Sequence, residues 1–216
     1  MNLVLFDLDD TLIAGDSETA WSLYIAENLM TDKEKFLKQM SIYSESYRKG
    51  ILDVSEYSEF LLQPLEGRSV KDIKDMARSW AIKVVDELRD ELTDRLINRH
   101  IADKKILTSG TLSFLVEEIS KELAIPEFFG TEHEEVDGKF TGKVLGNPNF
   151  SNEKVLKIQK LYDINSYEKI YSYSDSIYDL PLLEIATIAT AVNPDKELRG
   201  VAEARGWTID ESRLMP

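Results

Sequence analysis

The sequence predicts an α/β protein in which a doubly wound parallel sheet carries an all-helical insertion. Short apolar runs that end in polar clusters alternate with helical patterns, as strands alternate with crossover helices in a parallel sheet. The long segment between the first and second runs shows helix start signals and helical spacing but no convincing strand. We therefore expect residues 1–13 and 105–216 to form an α/β core domain and residues 14–104 to form a helical domain.

The predicted strands are short runs of apolar or β-branched residues, each followed by polar residues. In chain order they are Leu3–Phe6 before Asp7, Ile106–Leu107 before Thr108, Ile170–Tyr173 before Ser174, and Thr187–Val192 before Asn193. Helical patterns such as Leu112–Leu123 and Ile177–Ile185 follow them. Because ligands bind beyond the carboxyl ends of parallel strands, the polar residues should converge at one edge of the sheet.

Capping patterns mark the starts of helices in the insertion. Thr31-Asp32-Lys33-Glu34 and Asp53-Val54-Ser55-Glu56 each place an acid three residues after a capping side chain. Further along the chain, Asp137-Gly138 between the runs Glu132–Val136 and Lys139–Val144 predicts a β-hairpin.

The composition excludes several classes of partner and site. The 216 residues include 40 Asp and Glu against 26 Lys and Arg, a net charge of −14, which opposes binding to nucleic acid or to an anionic membrane. Cysteine is absent, which excludes disulfides, Cys–zinc sites and thiol nucleophiles, and two histidines leave little for a His-based metal site. Without a bilayer-spanning apolar stretch or a signal-peptide pattern, we expect a cytoplasmic protein with no nucleic-acid or membrane partner.

Two acids at the end of the first predicted strand suggest chemistry. Asp7 and Asp9 point the same way if strand geometry persists, because side chains alternate with period two. Such a pair suits Mg²⁺, which prefers oxygen ligands, or a nucleophile beside an acid–base group. An Asp-rich loop that caps the following helix explains the same residues, so this cluster alone leaves the alternatives open.

The other polar clusters are also open when each is taken singly. Ser109 and Gly110, ahead of a predicted helix, suit an anion site at its N-terminus, although an ordinary N-cap is the simpler interpretation. Lys154 lies at the start of an amphipathic helix and on its own would be a surface lysine. Asp175 and Asp179 follow a strand four residues apart and would require a nearby cation, although Asp179 alone is explained as an N-cap.

Taken together and in this order, the clusters resemble the four motifs of the haloacid dehalogenase (HAD) superfamily of phosphohydrolases. The run Phe6–Leu12 is similar to the first motif, and Ser109, Lys154 and Tyr173-Ser174-Asp175 with Asp179 are similar to the other three. The resemblance covers essentially the whole chain and is greatest to the phosphoserine-phosphatase-like subfamily IB. It implies a Rossmann-like core whose helical insertion is a type-1 cap.

The resemblance also implies an activity. The protein would hydrolyse a small phosphomonoester through an aspartyl-phosphate on Asp7, with Asp9 as acid and base and Mg²⁺ as cofactor. Asp9 would offer the metal its backbone carbonyl, and Asp179 would act through a water or through Lys154. The implied metal site comprises Asp7, Asp9, Asp175 and Asp179, and the implied phosphoryl-binding residues are Ser109, Gly110 and Lys154.

A helical cap indicates a small, enclosed substrate. Asp16, Ser17 and Trp21 follow the first motif closely and are expected to face the cavity. Asp16 lies where phosphoserine phosphatases carry a Glu that meets the substrate ammonium, although it is equally explained as a helix N-cap.

One departure from the resemblance puts phosphoserine in doubt. Phosphoserine phosphatases use a cap arginine for the substrate carboxylate, but the corresponding stretch Val54–Leu65 has none, and the nearest are Arg48 and Arg68. An amine-bearing phosphate without a carboxylate, such as histidinol phosphate, suits this pattern. Four aromatic residues at helical spacing are expected to belong to the core of the cap, namely Tyr43, Tyr47, Tyr57 and Phe60.

Two other functions remain open at the level of sequence. A phosphotransferase would pass the phosphoryl group from Asp7 to a small alcohol, and the motifs do not separate water from another acceptor. A receiver-like phosphorylation switch also combines strand-end acids, Ser or Thr and Lys on a doubly wound sheet. Receivers lack an equivalent of Asp9 and of the helical insertion, so the switch is the less favoured alternative.

Overall fold

The structure, a computed structural model, describes residues 1–213 and contains one main sheet and one hairpin. The strands are β1 (Leu3–Phe6), β2 (Lys104–Leu112), β3 (Glu127–Thr131), β4 (His133–Val136), β5 (Lys139–Val144), β6 (Ile170–Ser174), β7 (Ile188–Val192) and β8 (Thr208–Asp210). The main sheet has the order β3-β2-β1-β6-β7-β8, and every neighbouring pair in it is parallel. The predicted doubly wound parallel sheet is confirmed.

The segment between β1 and β2, all of which the structure describes, contains five α-helices and no strand. The helices are α1 (Ser17–Leu29), α2 (Lys33–Arg48), α3 (Val54–Leu62), α4 (Val70–Leu88) and α5 (Glu91–Arg99), followed after β2 by α6 (Ser113–Glu122), α7 (Asn152–Leu161), α8 (Leu180–Glu184) and α9 (Lys196–Arg205). The inserted segment is helical, as predicted. Of the helices within residues 1–213, none is long and apolar enough to cross a membrane.

The hydrophobic core is centred on β1. Its four residues are fully buried, as expected for a parallel strand covered on both faces. One continuous apolar cluster joins Phe6 and Leu107 of the sheet to Trp21 of α1 and Trp80 of α4. Because the sheet and the insertion share this cluster, packing alone does not divide them. The division of the chain at residues 13 and 105 stays a prediction.

Acidic side chains cap α2 and α3. Asp32 accepts a hydrogen bond from Lys35 N at 3.3 Å, and Asp53 accepts one from Glu56 N at 3.0 Å. Asp53 is thus the predicted cap, whereas the cap of α2 is Asp32 and not Thr31.

The predicted hairpin is confirmed as β4 and β5. Its turn residues Asp137 and Gly138 both have positive φ, 51° and 70°, which matches the right-handed twist of the flanking strands. Val70 N donates to Gly138 O, and Phe140 N donates to Arg68 O. The hairpin therefore ties the start of α4 to the part of the chain that follows the insertion.

β2 is longer than predicted, which corrects the interpretation of Ser109 and Gly110. Both lie inside the strand, which continues to Leu112, and α6 begins at Ser113 without a side-chain cap. Neither residue is therefore an N-cap or lies at a helix N-terminus.

Polar side chains from distant parts of the chain explain why β2 continues. Its pairing with β3 shifts register beyond Thr108, which leaves backbone carbonyls without strand partners. Thr131 Oγ1 donates to Gly110 O at 2.5 Å, and the side-chain amide of Asn149 donates to Ser109 O at 2.9 Å. These bonds satisfy the carbonyls and hold the segment extended.

Candidate active site

A cavity of about 410 Å³ lies at the carboxyl edge of the sheet, enclosed on its other side by helices of the insertion. The residues predicted for the site all line it. They are Asp7, Asp9, Asp16, Ser109, Gly110, Lys154, Asp175 and Asp179. The polar clusters that are far apart in sequence thus meet in space.

Lys154, in the first turn of α7, links two carboxylates at the edge of the sheet. Its Nζ donates to Asp7 Oδ1 and to Asp179 Oδ2, each at 2.7 Å, and all three residues are buried. Burial alone would lower the pKa of Lys154, but the Asp179 and Asp7 carboxylates raise it above its usual range. Lys154 is therefore a firmly held ammonium and not a surface lysine.

Thr11 lies between Asp7 and Asp175. Its Oγ1 is 3.1 Å from Asp7 Oδ2 and 3.2 Å from Asp175 Oδ1, so its single proton can serve either carboxylate. Burial, together with the charges of Asp7 and Asp179, raises the pKa of Asp175 well above its usual range. Thr11 is absent from the residues predicted for the site, although it stands within the first motif.

This group of acids suits a hard divalent cation. Carboxylate oxygens are the ligands that Mg²⁺ prefers, and it commonly takes one or two of them together with water. Across residues 1–213, no group of three or more His, Cys, Asp or Glu side chains is placed to hold a metal. The side chain of Asp179 is bound to Lys154. The residues present therefore suit a metal site with two carboxylate ligands, Asp7 and Asp175, that a backbone carbonyl and water would complete.

Asp9 is held by three donors. Ser17 N donates to its Oδ1 at 2.6 Å, while Thr111 Oγ1 and Ser109 Oγ donate to its Oδ2 at 2.9 and 3.2 Å. Burial, followed by the charge of Asp16, raises the pKa of Asp9 to about 7. A carboxyl group with that pKa can both give and take a proton near neutral pH.

Asp16 fits both interpretations that the sequence left open. Its Oδ1 accepts from Thr19 N at 2.6 Å, which makes it the N-cap of α1. It also lines the cavity, at an exposed position.

The face of α1 that meets the cavity differs from the prediction. Ser17 and Trp21 are buried and do not line the cavity. Ser17 Oγ contacts Thr111 Oγ1 at 3.2 Å, and Trp21 packs on Trp80 in the hydrophobic core. Residues four apart share a helix face, so Ser17 and Trp21 turn to the core together. Glu18, one position further round the helix, lines the cavity instead.

Glu18 is a carboxylate without a cationic side chain beside it in the described chain. It is half-buried, and Tyr57 of α3 lines the cavity with it. Burial, followed by the charges of Asp16 and Asp9, raises the pKa of Glu18 well above its usual range. The predictions from sequence missed Glu18, because an acid in the first turn of a helix is ordinary there.

The prediction that four aromatic residues belong to the core of the cap holds for Phe60 and in part for Tyr57, which both pack against the hydrophobic core, and is wrong for Tyr43 and Tyr47. Tyr43, Tyr47 and Tyr57 line the cavity, whereas Phe60 stacks on Phe36 with ring centroids 4.8 Å apart. A tyrosine can pack its ring while its hydroxyl meets a polar neighbour, which suits a cavity wall.

The two arginines near the cap differ in position. Arg48, at the end of α2, lines the cavity. Arg68 does not, because its guanidinium donates to Pro64 O and Leu29 O. Arg48 is therefore the one of the two that a substrate could meet.

An aromatic cluster joins α2 to the loops at the sheet edge. Tyr47 Oη is 3.0 Å from Ser176 Oγ, and Tyr178 Oη donates to Tyr47 O at 3.1 Å. The Tyr178 ring lies 4.9 Å from the ring centroids of both Tyr47 and Phe150. These contacts hold the end of α2 over one side of the cavity.

Arg213 supports the loop after β1 from outside the cavity. It donates through Nη1 to Asp10 O at 2.9 Å and Ile13 O at 3.2 Å, and through Nε to Asp90 Oδ2 at 2.6 Å. Partial burial alone would raise the pKa of Asp90, but hydrogen bonds from Arg213 and Thr93 hold it at about 2. No motif points to Arg213, because its partners in the loop lie 200 to 203 residues away in sequence.

Known proteins resemble this chain along most of its length. Residues 4–184 match the model of a family described as haloacid dehalogenase-like hydrolase. A histidinol-phosphatase from Neisseria meningitidis serogroup C (strain 8013) is 31% identical over 216 residues, spanning 96% of this chain and 97% of that protein. Phosphoserine phosphatase SerB1 of Mycobacterium tuberculosis (strain ATCC 25618 / H37Rv) is 28% identical over 97% of this chain and 70% of its own.

Among solved structures, a protein with unknown function from Bordetella pertussis Tohama I has a similar fold. Its TM-score is 0.89, with 29% identity over 97% of this chain and 98% of that one. The likeness extends through both the sheet and the helical insertion.

Proposed function

The chain belongs to the haloacid dehalogenase-like hydrolase family and is a phosphatase, and we propose that it hydrolyses a small phosphomonoester with Mg²⁺ through an aspartyl-phosphate intermediate. One observation carries the proposal. The Asp7 carboxylate, the Lys154 ammonium that binds it, and an Asp9 carboxyl with a pKa of about 7 line the same cavity.

The proposed reaction has two steps, and both use Asp7 and Asp9. In the first, a carboxylate oxygen of Asp7 attacks phosphorus while the bond to the leaving alcohol breaks, and Asp9 gives that alcohol a proton. In the second, Asp9 takes a proton from water, whose oxygen attacks phosphorus and releases Asp7 and inorganic phosphate. Both residues end as they began.

Phosphoryl transfer depends mainly on positioning and on neutralising charge. We assign Lys154, the Ser109 hydroxyl and the Gly110 N–H to the phosphoryl oxygens. When bound, Mg²⁺ would add positive charge at the phosphoryl group. Its proposed ligands are the Asp7 and Asp175 carboxylates with the backbone carbonyl of Asp9, while Asp179 orients Lys154.

The proposed substrates are phosphoserine and histidinol phosphate, which are the substrates in the names of the two relatives. A cavity of about 410 Å³ suits a small metabolite. Both substrates carry an amine, and we assign Asp16, on the insertion side of the cavity, to substrate binding. Arg48 is the group available to a carboxylate such as that of phosphoserine.

Phosphate release from a panel of small phosphomonoesters, with and without Mg²⁺, tests the proposal. We expect metal-dependent turnover by the wild type and a loss of at least roughly a thousandfold in Asp7→Asn, because the covalent route is closed. Asp10→Asn is the matched control, since Asp10 is exposed on the same loop at φ 53°, which Asn tolerates.

If Asp7→Asn kept about half the activity, the nucleophile would be another group. Phosphorylated added alcohol in place of free phosphate would indicate a phosphotransferase.

A further inference from the structure

We propose that Thr111 is a positioning residue of the phosphatase reaction and that its hydroxyl holds the Asp9 carboxyl group in the orientation for proton transfer. The inference rests on the proposed function and deepens it, because it names a side chain on which the acid–base group depends. The residues predicted from sequence for this part of β2 stop at Gly110, so Thr111 is an addition to the site.

The position of Thr111 is the first argument. It lines the cavity near the end of β2 and is only 2% exposed. Its Oγ1 donates to Asp9 Oδ2 at 2.9 Å, and Ser17 N donates to Oδ1 of the same carboxyl group at 2.6 Å. The torsion that turns an aspartate carboxyl group has no sharp preference of its own. One donor on each oxygen atom therefore fixes the plane of the Asp9 carboxyl group, between β2 and the first turn of α1.

The direction of the hydrogen bonds is the second argument. Ser17 Oγ lies 3.2 Å from Thr111 Oγ1, and both residues are buried. Because a hydroxyl has one proton, which Thr111 gives to the carboxylate of Asp9, Ser17 is the donor in this contact. Hydrogen bonds in such a chain strengthen one another. The Thr111 hydroxyl has no second proton for a substrate oxygen, so it acts through Asp9.

Ser109 does not make Thr111 redundant. It also donates to Asp9 Oδ2, at 3.2 Å, but the proposed reaction assigns its hydroxyl to a phosphoryl oxygen. One hydroxyl proton cannot serve both acceptors. Once the phosphoryl group is bound, Thr111 is therefore the hydroxyl that remains on Oδ2. The Thr111 N–H, which donates to Ser109 Oγ at 3.1 Å, keeps the two residues together.

Departure of the alcohol is the step that depends on this orientation. As a carboxylate oxygen of Asp7 bonds to phosphorus, the bond from phosphorus to the ester oxygen breaks, and that oxygen takes the proton of Asp9. An alkoxide is a poor leaving group and needs the proton, whereas p-nitrophenolate is stable as an anion and leaves without it. Loss of the Thr111 hydroxyl should therefore slow alkyl esters and spare an aryl ester.

The ratio of kcat/KM for an alkyl ester to kcat/KM for p-nitrophenyl phosphate tests the inference. This constant covers the reaction only as far as departure of the alcohol, so hydrolysis of the phosphorylated Asp7 does not enter it. The alkyl ester is phosphoserine or histidinol phosphate, whichever the wild type hydrolyses faster. Thr111→Val keeps the shape of the side chain and should lower the ratio by about tenfold to a hundredfold, because the acid is displaced and not removed. Thr111→Ser returns the hydroxyl and should restore the ratio to within about threefold of the wild type.

Thr190→Val is the matched control. Thr190 is a buried threonine of β7 that does not line the cavity, so this variant should have the ratio of the wild type. If Thr111 only packed β2 or bound a phosphoryl oxygen, Thr111→Val would slow both esters equally. An unchanged ratio would overturn the inference and leave the proposed function standing.

Ser17→Ala is the second variant, in case Thr111→Val does not fold. It removes the hydroxyl that donates to Thr111 and keeps the N–H that holds Asp9, so the ratio should fall in the same direction by a smaller factor. A ratio unchanged in this variant would also contradict the inference. If the wild type hydrolysed neither ester, the proposed function and the inference would both be wrong.

Discussion

The two sides of the cavity are built differently. The floor, which we define as Asp7, Asp9, Lys154, Asp175 and Asp179, lies at the carboxyl edge of the parallel sheet, with Lys154 supplied by α7. The wall, defined as Asp16, Glu18, Tyr43, Tyr47, Arg48 and Tyr57, comes from the helices of the insertion. Charged groups of the floor bind one another, nearby hydroxyls or the Ser17 N–H at 2.6 to 3.2 Å. In the wall, Tyr43 and Arg48 find their partners within the insertion itself.

This difference separates two tasks. A floor whose charged groups are already held by hydrogen bonds loses little free energy to reorganisation when a phosphoryl group enters, which is the condition for strong electrostatic stabilisation. A wall of tyrosines, two acids and an arginine sets the size and charge of the space above the floor. We therefore expect substitutions in the floor to abolish turnover and substitutions in the wall to change the choice of substrate.

The largest effect of this kind is expected for Lys154→Met. The variant leaves the buried Asp7 and Asp179 carboxylates without their ammonium, so activity should fall by at least roughly a thousandfold. The free energy of unfolding should fall by about 3–5 kcal/mol, since breaking a buried pair strands a charge. Phosphate release and urea denaturation measure the two losses.

Lys157→Met is the control on the same helix. Lys157 donates to Gly130 O and lies outside the cavity lining, so its loss should cost roughly 1 kcal/mol and little activity. Equal effects of the two substitutions would remove the distinction between the floor and the rest of α7.

The floor was predictable from sequence because its residues occur in ordered motifs at strand ends. The wall was not, since the direction in which a helical side chain points depends on how the helix is packed. Ser17 and Glu18 are neighbours, yet the packing of Trp21 turns one to the core and the other to the cavity. Likewise, spacing alone does not show whether a tyrosine such as Tyr47 is in the core or in the wall.

The length of β2 was missed for another physical reason. Ser109 remains extended because an amide from Asn149, 40 residues away, takes its carbonyl, and no local propensity encodes that bond. The same limit applies to Arg213, whose partners are at the opposite end of the chain. Contacts between residues that are far apart in sequence therefore determine where β2 ends and how the loop after β1 is held.

Arg213→Gln should have an intermediate effect, because it loosens the loop that carries the floor without removing a floor residue. We expect kcat to fall about threefold to tenfold and the free energy of unfolding near pH 7 to fall by about 1–2 kcal/mol, a figure that allows for solvent screening. The pKa of Asp90 is lowered from 3.8 to about 2 in the folded protein. The contribution of the Asp90 carboxylate to the free energy of unfolding is therefore present above pH 4 and is lost as the pH falls through about 2.

Unfolding measured across this pH range checks the prediction. The difference between wild type and Arg213→Gln should shrink as the pH falls from about 4 to about 2. Arg199→Gln is the control, since Arg199 pairs with Glu211 on the same C-terminal segment but not with the loop. A difference that stayed constant down to pH 2 would mean that Arg213 does not act through Asp90.

The smallest effect is expected where the wall contacts the loop after β6, at Tyr47→Phe. The variant keeps the ring that packs on Tyr178 and removes the hydroxyl that lies 3.0 Å from Ser176 Oγ. A partly exposed hydrogen bond of this kind contributes about 0.5–1.5 kcal/mol, so the fraction of molecules with an enclosed cavity should fall. The apparent affinity falls with that fraction, which predicts a KM raised about twofold to fivefold with kcat little changed.

Tyr43→Phe should shift KM less, because the Tyr43 hydroxyl binds Glu56 within the insertion and does not cross to the sheet edge. If the two tyrosine variants raised KM equally, the bond between Tyr47 and Ser176 would have no part in enclosing the substrate.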